Sequence, residues 1–588
     1  MTQRVGLVAV SRKAAPYHVV RRDRLVAWLL GLVFATAACS SKSEVKGNGS
    51  ALEPPAPAPK PTLTLFALAE VRGQIGPCGC TTDPLGDIAR TAKLISEARA
   101  QGPVLVVDAG SLLYAQSPIP AHLVSQEERK ADLLTRIYDE LDVAAVGLGP
   151  ADLAAGPKGV RFPRAAVNVP SSGPGGFPIE PPEVIDVGGA KVGVFGVVTS
   201  DALRGVAVSD PVAATRKAAA DLKARGAQLT VALVQAANRK DAVTLLRDIE
   251  GAGVDIAVAG LGDATPEPEH VELEAQRIGS TWLVIPANRG QVISRIDVTL
   301  RGGGALVDAV GPKAAAAKTA VIDKQLAALD ADLAKFAADP SADPAFVKQK
   351  RSEREQLAAE RARLASQPLQ VPRAGDYFTL EQIRINKTLA CSQPIQDAVS
   401  KYYLATGEAN LKAAANEPPL PLPKGKAGYV GMAACDDCHS DAVEFWKTTV
   451  HARAWQTLVD RGQQFDLDCI GCHVTGWQQP GGANLAHNET LRDVQCETCH
   501  GPGSIHVQKG GDEKPAAIVK IPREDLCATQ CHTKEHSDTF DLQPYLRDIL
   551  GPGHGADARA KLGDGPTGAQ LRKAGLDKAG RPGPGCVR

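Results

Sequence analysis

The chain has 588 residues, too many for one hydrophobic core, so several domains are expected. Its 66 basic and 66 acidic residues balance to a formal net charge of zero, and the composition therefore gives no indication of a nucleic-acid partner. Thirteen cysteines are unusual for a protein of the reducing cytosol.

The N-terminus has the pattern of an export signal. Three arginines precede an apolar run, Leu25–Ala38, which is too short to span a bilayer comfortably and ends in small residues before Cys39. This arrangement resembles a bacterial lipoprotein signal, so residues 1–38 are predicted to be cleaved and Cys39 to be lipidated. Ordinary signal-peptidase cleavage near Ala38 stays open as the alternative. Residues 39–61, rich in Pro, Ala and Ser, are predicted to form a membrane tether.

Residues 62–305 alternate short apolar runs with amphipathic segments. The apolar runs predict strands buried on both faces, at Leu63–Ala69, Val104–Asp108, Val143–Leu148, Ala165–Val169, Val184–Val187, Lys191–Val198, Leu229–Gln235, Val254–Gly260, Trp282–Pro286 and Ile293–Leu300. The amphipathic segments predict helices at Asp87–Ala100, Glu127–Leu141, Pro211–Arg225 and Arg239–Gly251. This alternation predicts a layered α/β domain.

Several motifs of this front domain resemble the 5′-nucleotidase branch of the calcineurin-like metallophosphatases. They are the first predicted strand with the loop after it, Pro84–Arg90, Val106–Leu112 and Ala145–Leu153. The resemblance implies a β-sandwich flanked by helices, with two metal ions at the strand ends.

The metal ligands of that family are mostly missing here. The first loop has Glu70 and Arg72 where the family has Asp and His. Asp108 remains in the second loop, but Ser111 replaces its other Asp, and Leu148-Gly149 replaces an Asn-His pair. A guanidinium at a metal position disfavours metal binding. The domain is therefore predicted to have no catalytic residues, and residual phosphatase or nucleotidase activity is kept only as an alternative.

The first loop also contains Cys78-Gly-Cys80, as does a subgroup of the same family. Two thiols separated by one glycine can form a strained, easily reduced disulfide or bind a soft metal, so Cys78 and Cys80 are candidate redox thiols. A plain structural disulfide, or a pairing with Cys391, is the alternative.

Residues 306–370 predict a charged helical hairpin, Lys313–Phe336 and Ala345–Leu364, that serves as a spacer or dimer strut. In its first helix, an apolar stripe is expected at Val321, Leu326, Leu329, Leu333 and Phe336. Residues 371–425 are predicted to be a connecting segment.

Residues 426–555 contain four Cys…Cys-His clusters. Three have the C-x-x-C-H spacing, in which two thiols one helical turn apart form thioethers to a haem and the adjacent His binds its iron. The fourth has one extra residue, so an unloaded site or a single thioether is the alternative there. The predicted thioether cysteines are Cys435, Cys438, Cys469, Cys472, Cys496, Cys499, Cys527 and Cys531, and the predicted proximal ligands are His439, His473, His500 and His532.

The sequences around these clusters resemble the cytochrome c-554 family of tetrahaem cytochromes. The quoted stretches are Tyr429–His439, Trp446–Trp455, Cys469–Trp477, Val494–Gly503 and Gly551–Gly555. The resemblance implies four covalently attached haem c groups, packed in pairs, most with two axial histidines and one with an open face. His451, His506 and His554 are the predicted distal ligands and His536 is the next candidate, whereas His487 is expected to be a surface residue.

The complete sequence therefore predicts a multidomain chain: a metallophosphatase-like α/β sandwich, a helical hairpin, and a mainly α-helical or irregular multihaem cytochrome domain, followed by a flexible tail at 556–588. The predicted function is electron transfer in the periplasm or at the outer membrane of a bacterium. A redox protein or quinol-linked donor and acceptor, and the membrane through a lipid anchor, are the expected partners. A haem-dependent reductase of a small nitrogen or sulfur compound is the alternative.

Overall fold

The computed structural model describes residues 60–77, 79–170, 176–203, 205–338, 343–369, 371–511 and 517–586. The predicted signal peptide, Cys39, most of the tether and Cys78 lie outside these residues. Within the described ranges, no helix is long and apolar enough to cross a membrane.

The strands belong to the front part of the chain. They are β1 (Leu63–Leu68), β2 (Val104–Asp108), β3 (Ala145–Val146), β4 (Arg164–Ala165), β5 (Ile179–Glu180), β6 (Glu183–Val187), β7 (Ala190–Val198), β8 (Leu229–Gln235), β9 (Ile256–Gly260), β10 (Gln276–Ile278), β11 (Thr281–Val284), β12 (Val292–Thr299), β13 (Val307–Asp308) and β14 (Tyr377–Arg384).

The helices are distributed along the whole described chain. They are α1 (Ile88–Arg99), α2 (Val124–Glu140), α3 (Pro211–Ala224), α4 (Arg239–Asp248), α5 (Pro312–Ala338), α6 (Pro344–Ser366), α7 (Gln393–Ala414), α8 (Ala433–Trp446), α9 (Ala454–Val459), α10 (Cys496–His500), α11 (Ser504–Gln508), α12 (Asp525–Gln530), α13 (Leu542–Ile549), α14 (Ala556–Ala560) and α15 (Gly568–Lys578).

Two six-stranded sheets form the centre of the front domain, with strand orders β13-β14-β12-β1-β2-β3 and β10-β11-β9-β8-β7-β6. Strand β1 shows how the sequence determines the layers. Leu63, Leu65 and Ala67 pack into the core between the two sheets, whereas Phe66 and Leu68 pack into the core under the helices. Because side chains alternate along a strand, a fully apolar strand such as β1 needs cover on both faces.

Helices supply that cover. Helices α1, α2 and α7 pack on the outer face of the first sheet, and α3 and α4 pack on the outer face of the second. The predicted order of a layered α/β domain, a helical hairpin and a mainly helical or irregular final segment is confirmed.

The front domain does not end at residue 305. Strand β14, in the predicted connecting segment, lies between β12 and β13 and pairs with β12 along its whole length, with Leu380 opposite Ile296. Helix α7, from the same segment, completes the core under the first sheet. The hairpin of α5 and α6 is therefore an insertion within the front domain, because the chain returns to the sheet after it.

The tail also differs from the expected flexible segment. Thr567 caps α15 in a reciprocal capping box with Gln570, and a disulfide joins Cys391 to Cys586. The backbone N–H of Cys391 donates to the Pro584 carbonyl oxygen at 2.8 Å. The end of the described chain is thus fastened to the front domain, by a cysteine pair whose members are far apart in sequence.

Candidate haem sites and the altered metal loops

Each cysteine cluster lies on a single turn of helix or just before one. Cys435 and Cys438 lie in α8, Cys496 and Cys499 in α10, and Cys527 in α12, while Cys469 precedes a short 3₁₀ turn, Ile470–Cys472. One turn of helix places two thiols on the same side of the backbone, which is the arrangement that attachment to one macrocycle requires.

The four clusters meet in pairs. The thiol of Cys435 lies beside that of Cys496, and the thiol of Cys472 lies beside that of Cys531. The neighbouring thiol lowers the pKa of Cys496 and of Cys472. The first cluster therefore adjoins the third, and the second adjoins the fourth.

Two pairs of histidine rings lie close together, with similar distances between their ring centroids. The ring centroids of His439 and His506 are 6.5 Å apart with the planes inclined by 19°, and those of His451 and His532 are 6.3 Å apart with the planes inclined by 43°. An imidazole nitrogen lies about 2 Å from a first-row metal ion, so two rings on opposite sides of one ion have centres about 6 Å apart. Both centroid separations are close to the value expected for two rings that bind one iron.

The other two proximal histidines have different surroundings. The ring of His500 is hydrogen-bonded through Nδ1 to the carbonyl oxygen of Val519 at 2.8 Å. Burial, and then the charge of nearby His500, lower the pKa of His554. The Nδ1 atom of His473 is hydrogen-bonded to the carbonyl oxygen of Ala454 at 2.5 Å. In the described part of the chain, no other histidine ring is stacked against the ring of His473.

An unpaired ring nitrogen also fits an iron ligand. The Nδ1 atom of His506 is buried without a hydrogen-bond partner in the described structure. A buried polar atom without a partner is unfavourable, and coordination would satisfy it. His536 and His487 do have partners: His536 Nδ1 is hydrogen-bonded to Thr533 Oγ1 at 2.8 Å, and His487 Nε2 to the Glu417 carbonyl oxygen at 2.9 Å.

The apolar surface of this segment fits a large apolar cofactor. Its main cluster of buried residues is small and centres on Trp455, Ile470 and Val474. Apolar side chains near the clusters are instead exposed, including Ile521 at 84% and Val450 at 66%. Contact with a porphyrin would bury such side chains, which supports the expectation that the macrocycles complete the core.

In the front domain, Arg72 forms ion pairs with two carboxylates. Its Nε donates to Glu70 at 2.8 Å and its Nη1 donates to Asp263 at 2.7 Å. Glu70 is fully buried and also accepts hydrogen bonds from Gln235 Nε2 at 2.7 Å and from the Gly262 N–H at 3.0 Å. The carboxylate is thus satisfied by protein donors alone.

The second loop is satisfied in the same way. Asp108 accepts hydrogen bonds from the Gly110 N–H at 2.8 Å and from the Tyr138 hydroxyl at 2.7 Å, and its complete burial raises its pKa to about 7.

The backbone of both loops is strained. Glu70, Arg72 and Ser111 have left-handed backbone, with φ of 51°, 49° and 58°, which is costly for residues other than glycine. Among the described residues, no group of three or more His, Cys, Asp or Glu side chains is placed to hold a metal ion.

The loop that contains Cys80 touches the cytochrome segment. The Cys80 thiol is exposed and free, and its carbonyl oxygen accepts from Arg572 Nη1 at 3.0 Å. Gly79 has φ +74°, and a Cβ there would lie 1.9 Å from the Glu535 carbonyl oxygen, so only glycine fits this contact. The alternative pairing of these cysteines with Cys391 is wrong, because Cys391 is bonded to Cys586.

A buried polar contact, which the sequence does not predict, joins α2 to the second cluster. Gln126 Nε2 donates to Asp466 Oδ1 at 2.8 Å and to Asp468 Oδ2 at 3.1 Å, and its Oε1 accepts from the Leu467 N–H at 3.1 Å. Asn410 Nδ2 in α7 also donates to Gln126 Oε1. A glutamine within a helical pattern gives no sequence signal for such a long-range contact.

Comparison with known proteins addresses the two halves separately. A family model described as "Cytochrome c554 and c-prime" matches residues 434–501, which contain the first three clusters. Cytochrome c-554 of Nitrosomonas europaea is 34% identical over 120 residues, which cover 17% of this chain and 51% of that protein. The C-terminal segment resembles cytochrome c-554. The chain spans about half the length of this curated relative, and haem c is the cofactor that the family implies.

Two solved structures are reported as similar to this chain. The 5′-nucleotidase precursor of Thermus thermophilus is 18% identical with a TM-score of 0.39, over 63% of this chain and 62% of that one. The calcineurin-like phosphoesterase YfkN of Bacillus subtilis is 20% identical with a TM-score of 0.31, over 42% and 87% of the two chains. The two six-stranded sheets themselves define the sandwich.

Proposed function

We propose that this protein is an exported multihaem c-type cytochrome that transfers electrons, with a non-catalytic front domain. The observation that carries the proposal is the pair of facing rings, His439 with His506 and His451 with His532, at centroid separations of 6.5 and 6.3 Å. Each pair joins the histidine of one cluster to a distant histidine, as axial ligation from both sides requires.

The residues divide into attachment and axial groups. Four haem groups would be held by the cysteine pairs of the four clusters, with His439, His473, His500 and His532 as proximal ligands. His506, His451 and His554 would be the distal ligands of the first, fourth and third haem. His536 remains a candidate without a facing ring in the described structure. Haem c supplies an iron that gains and loses single electrons, and two axial histidines leave no coordination position for a substrate.

The front domain supports docking rather than hydrolysis. Arg72 fills the proposed metal position with a cation, and its one positive charge balances one of the two negative charges of Glu70 and Asp263. A two-metal hydrolase needs several anionic or imidazole ligands around each ion. The same domain contacts the cytochrome segment through Gln126 and through the loop of Cys80, so its proposed role is to hold that segment and present it to redox partners.

The proposed export rests on the sequence alone. Covalent haem attachment to such clusters, the apolar run before Cys39 and the proline-rich stretch after it support a periplasmic protein or an outer-membrane lipoprotein. A redox protein or a quinol-linked enzyme would then donate and accept the electrons, and no feature of the charge balance favours a nucleic acid.

The test is to express the full chain with cytochrome-maturation machinery and to measure its mass and visible spectrum. Four haem additions and mainly low-spin spectra support the proposal, whereas protein with the mass of the bare processed chain refutes it. Metal analysis and a phosphomonoester or nucleotide hydrolysis assay test the front domain. Stoichiometric manganese or zinc with hydrolysis would overturn its non-catalytic assignment.

A haem-dependent reductase is the second candidate, and one observation favours it. His473 has no facing histidine ring in the described ranges, so the second haem would keep an open position at which a small nitrogen or sulfur compound could bind. Carbon monoxide binding to one haem in four would support this activity, and a spectrum that carbon monoxide leaves unchanged would exclude it.

A further inference from the structure

A buried cluster of charged and polar groups adjoins the second haem-attachment cluster. Asp466 is 8% exposed, and its carbonyl oxygen accepts from the N–H of Cys469 at 3.1 Å and of Ile470 at 3.0 Å. The residue therefore shapes the turn that carries both attachment cysteines. Its side chain contacts Gln126 of the front domain.

The titratable groups around Asp466 come from three elements. Asp468 lies on the same loop, Glu127 and Lys130 lie on α2, and Tyr402 and Tyr403 lie on α7. Cys469 also faces the cluster and is itself approached by Cys80, but as a haem thioether Cys469 would not titrate. Lys130 is buried, is paired with Glu127, and lies 3.5 Å from Asp468.

These charges leave the cluster anionic when all the carboxylates are ionised. Glu127, Asp466 and Asp468 contribute three negative charges against the single positive charge of Lys130. Burial, and then the charge of Asp468, raise the pKa of Asp466 to about 6. An added electron on a nearby group makes the local charge still more negative. It therefore favours protonation of the carboxylate with the raised pKa, Asp466.

A proton can reach this cluster. The Asp468 side chain is 41% exposed, and Gln126 Nε2 donates to both Asp466 and Asp468. The two carboxylates are therefore neighbours, one facing solvent and the other buried, linked through one amide.

We propose that Asp466 is a proton-binding site coupled to reduction of the second haem, with Gln126 and Lys130 of the front domain as its positioning residues. The inference rests on the proposed electron-transfer function. When a one-electron donor supplies an electron to the bound haem, the Asp466 carboxylate would take one proton from solvent through Asp468, so that no net charge is added at the site. The front domain would thereby set the pH range over which the relay is coupled to protons.

The first experiment counts protons taken up when the full haem-loaded protein is reduced electrochemically in weakly buffered solution. Wild-type protein is expected to take up about one more proton per molecule than Asp466→Asn near pH 7, because the amide cannot titrate. Asparagine keeps an oxygen that can accept from Gln126, so this variant should fold. Asp525→Asn is the matched control, since Asp525 is an exposed carboxylate two residues before the fourth cluster.

The second experiment follows the midpoint potential of each haem between pH 5 and pH 8. One coupled proton per electron shifts a potential by about 59 mV for each tenfold change in proton activity. One haem of the wild type should show this slope, and Asp466→Asn should flatten it. Lys130→Gln removes the nearest cation, so it should move the sloped region to higher pH without removing it.

The outcomes separate this inference from the function on which it rests. Protein without haem would refute the proposed function itself. Protein with its haem groups and mainly low-spin spectra, but with equal proton uptake in wild type and Asp466→Asn, would overturn only the role of Asp466. An infrared redox difference spectrum of the wild type adds a direct readout: a carboxylic C=O band should appear on reduction and be absent in Asp466→Asn.

Discussion

The disulfide between Cys391 and Cys586 should contribute much of the stability that holds the described end of the chain in place. The two cysteines are 195 residues apart in sequence, and the loop that they close contains the whole cytochrome segment. Cross-linking a loop of this length lowers the entropy of the unfolded chain enough to stabilise the folded state by about 5 kcal/mol in the chain-entropy model.

The perturbation is Cys586→Ser, measured by urea unfolding of the haem-loaded protein with far-ultraviolet circular dichroism. With a denaturant slope of about 3 kcal/mol per M, the midpoint should fall by roughly 1.5 M. Cys80→Ser is the control, because Cys80 is free and exposed. Adding a thiol reductant to wild type should reproduce the effect of Cys586→Ser. An unchanged midpoint in both experiments would refute the reasoning.

Three further predictions concern the buried polar groups. Because the folded pKa of Asp108 is raised to about 7, the contribution of Asp108 to stability is most favourable at low pH and is lost as pH rises from the unfolded value of 3.8 through 7. Asp108→Asn should therefore be more stable than wild type at pH 8, by up to about 4 kcal/mol, and thermal melts of both proteins at pH 4 and 8 test the difference. Gln126→Leu removes the amide that donates to Asp466 and Asp468 and accepts from the Leu467 N–H, and should cost about 3 kcal/mol, measured by denaturant unfolding; an unchanged midpoint would contradict the contact. His506→Ala should convert one low-spin haem to high spin in the absorption spectrum, while the control His487→Ala should not.

The sequence predicted best what local pattern determines. Strands such as β8, Leu229–Gln235, are continuous apolar runs, and buried strands of this kind are recognisable without knowing their neighbours. Helix α5 is also predictable, and Leu329 of its expected apolar stripe is buried, but one position of that stripe is wrong. Ile322 is buried at 4% exposure, whereas Val321, placed in the predicted stripe, is 45% exposed.

What the sequence did not reveal depends on contacts between distant segments. Strand β14 lies in the segment that the sequence predicts to be a connection, because its apolar and polar residues do not alternate strictly and its partner β12 lies before the whole helical hairpin. The cysteine clusters were evident from spacing, but the pairing of His451 with His532 joins parts of the chain that share no periodic signal. The role of Gln126 is visible only in the folded structure, where its side chain donates a hydrogen bond to Asp466.

The helical hairpin leaves and rejoins the sheet at one place, so its length can change without changing the sheet. A Cβ on Gly304, before the hairpin, would lie 3.8 Å from the Cα of Gly375, after it, so the chain departs and returns at nearly the same point. The hairpin projects as α5 and α6, held together by ion pairs such as Asp330 with Arg354. A longer, shorter or different hairpin need not disturb the strands from which it projects. The hairpin is therefore a place where the length of the molecule can change while the rest of the fold stays the same.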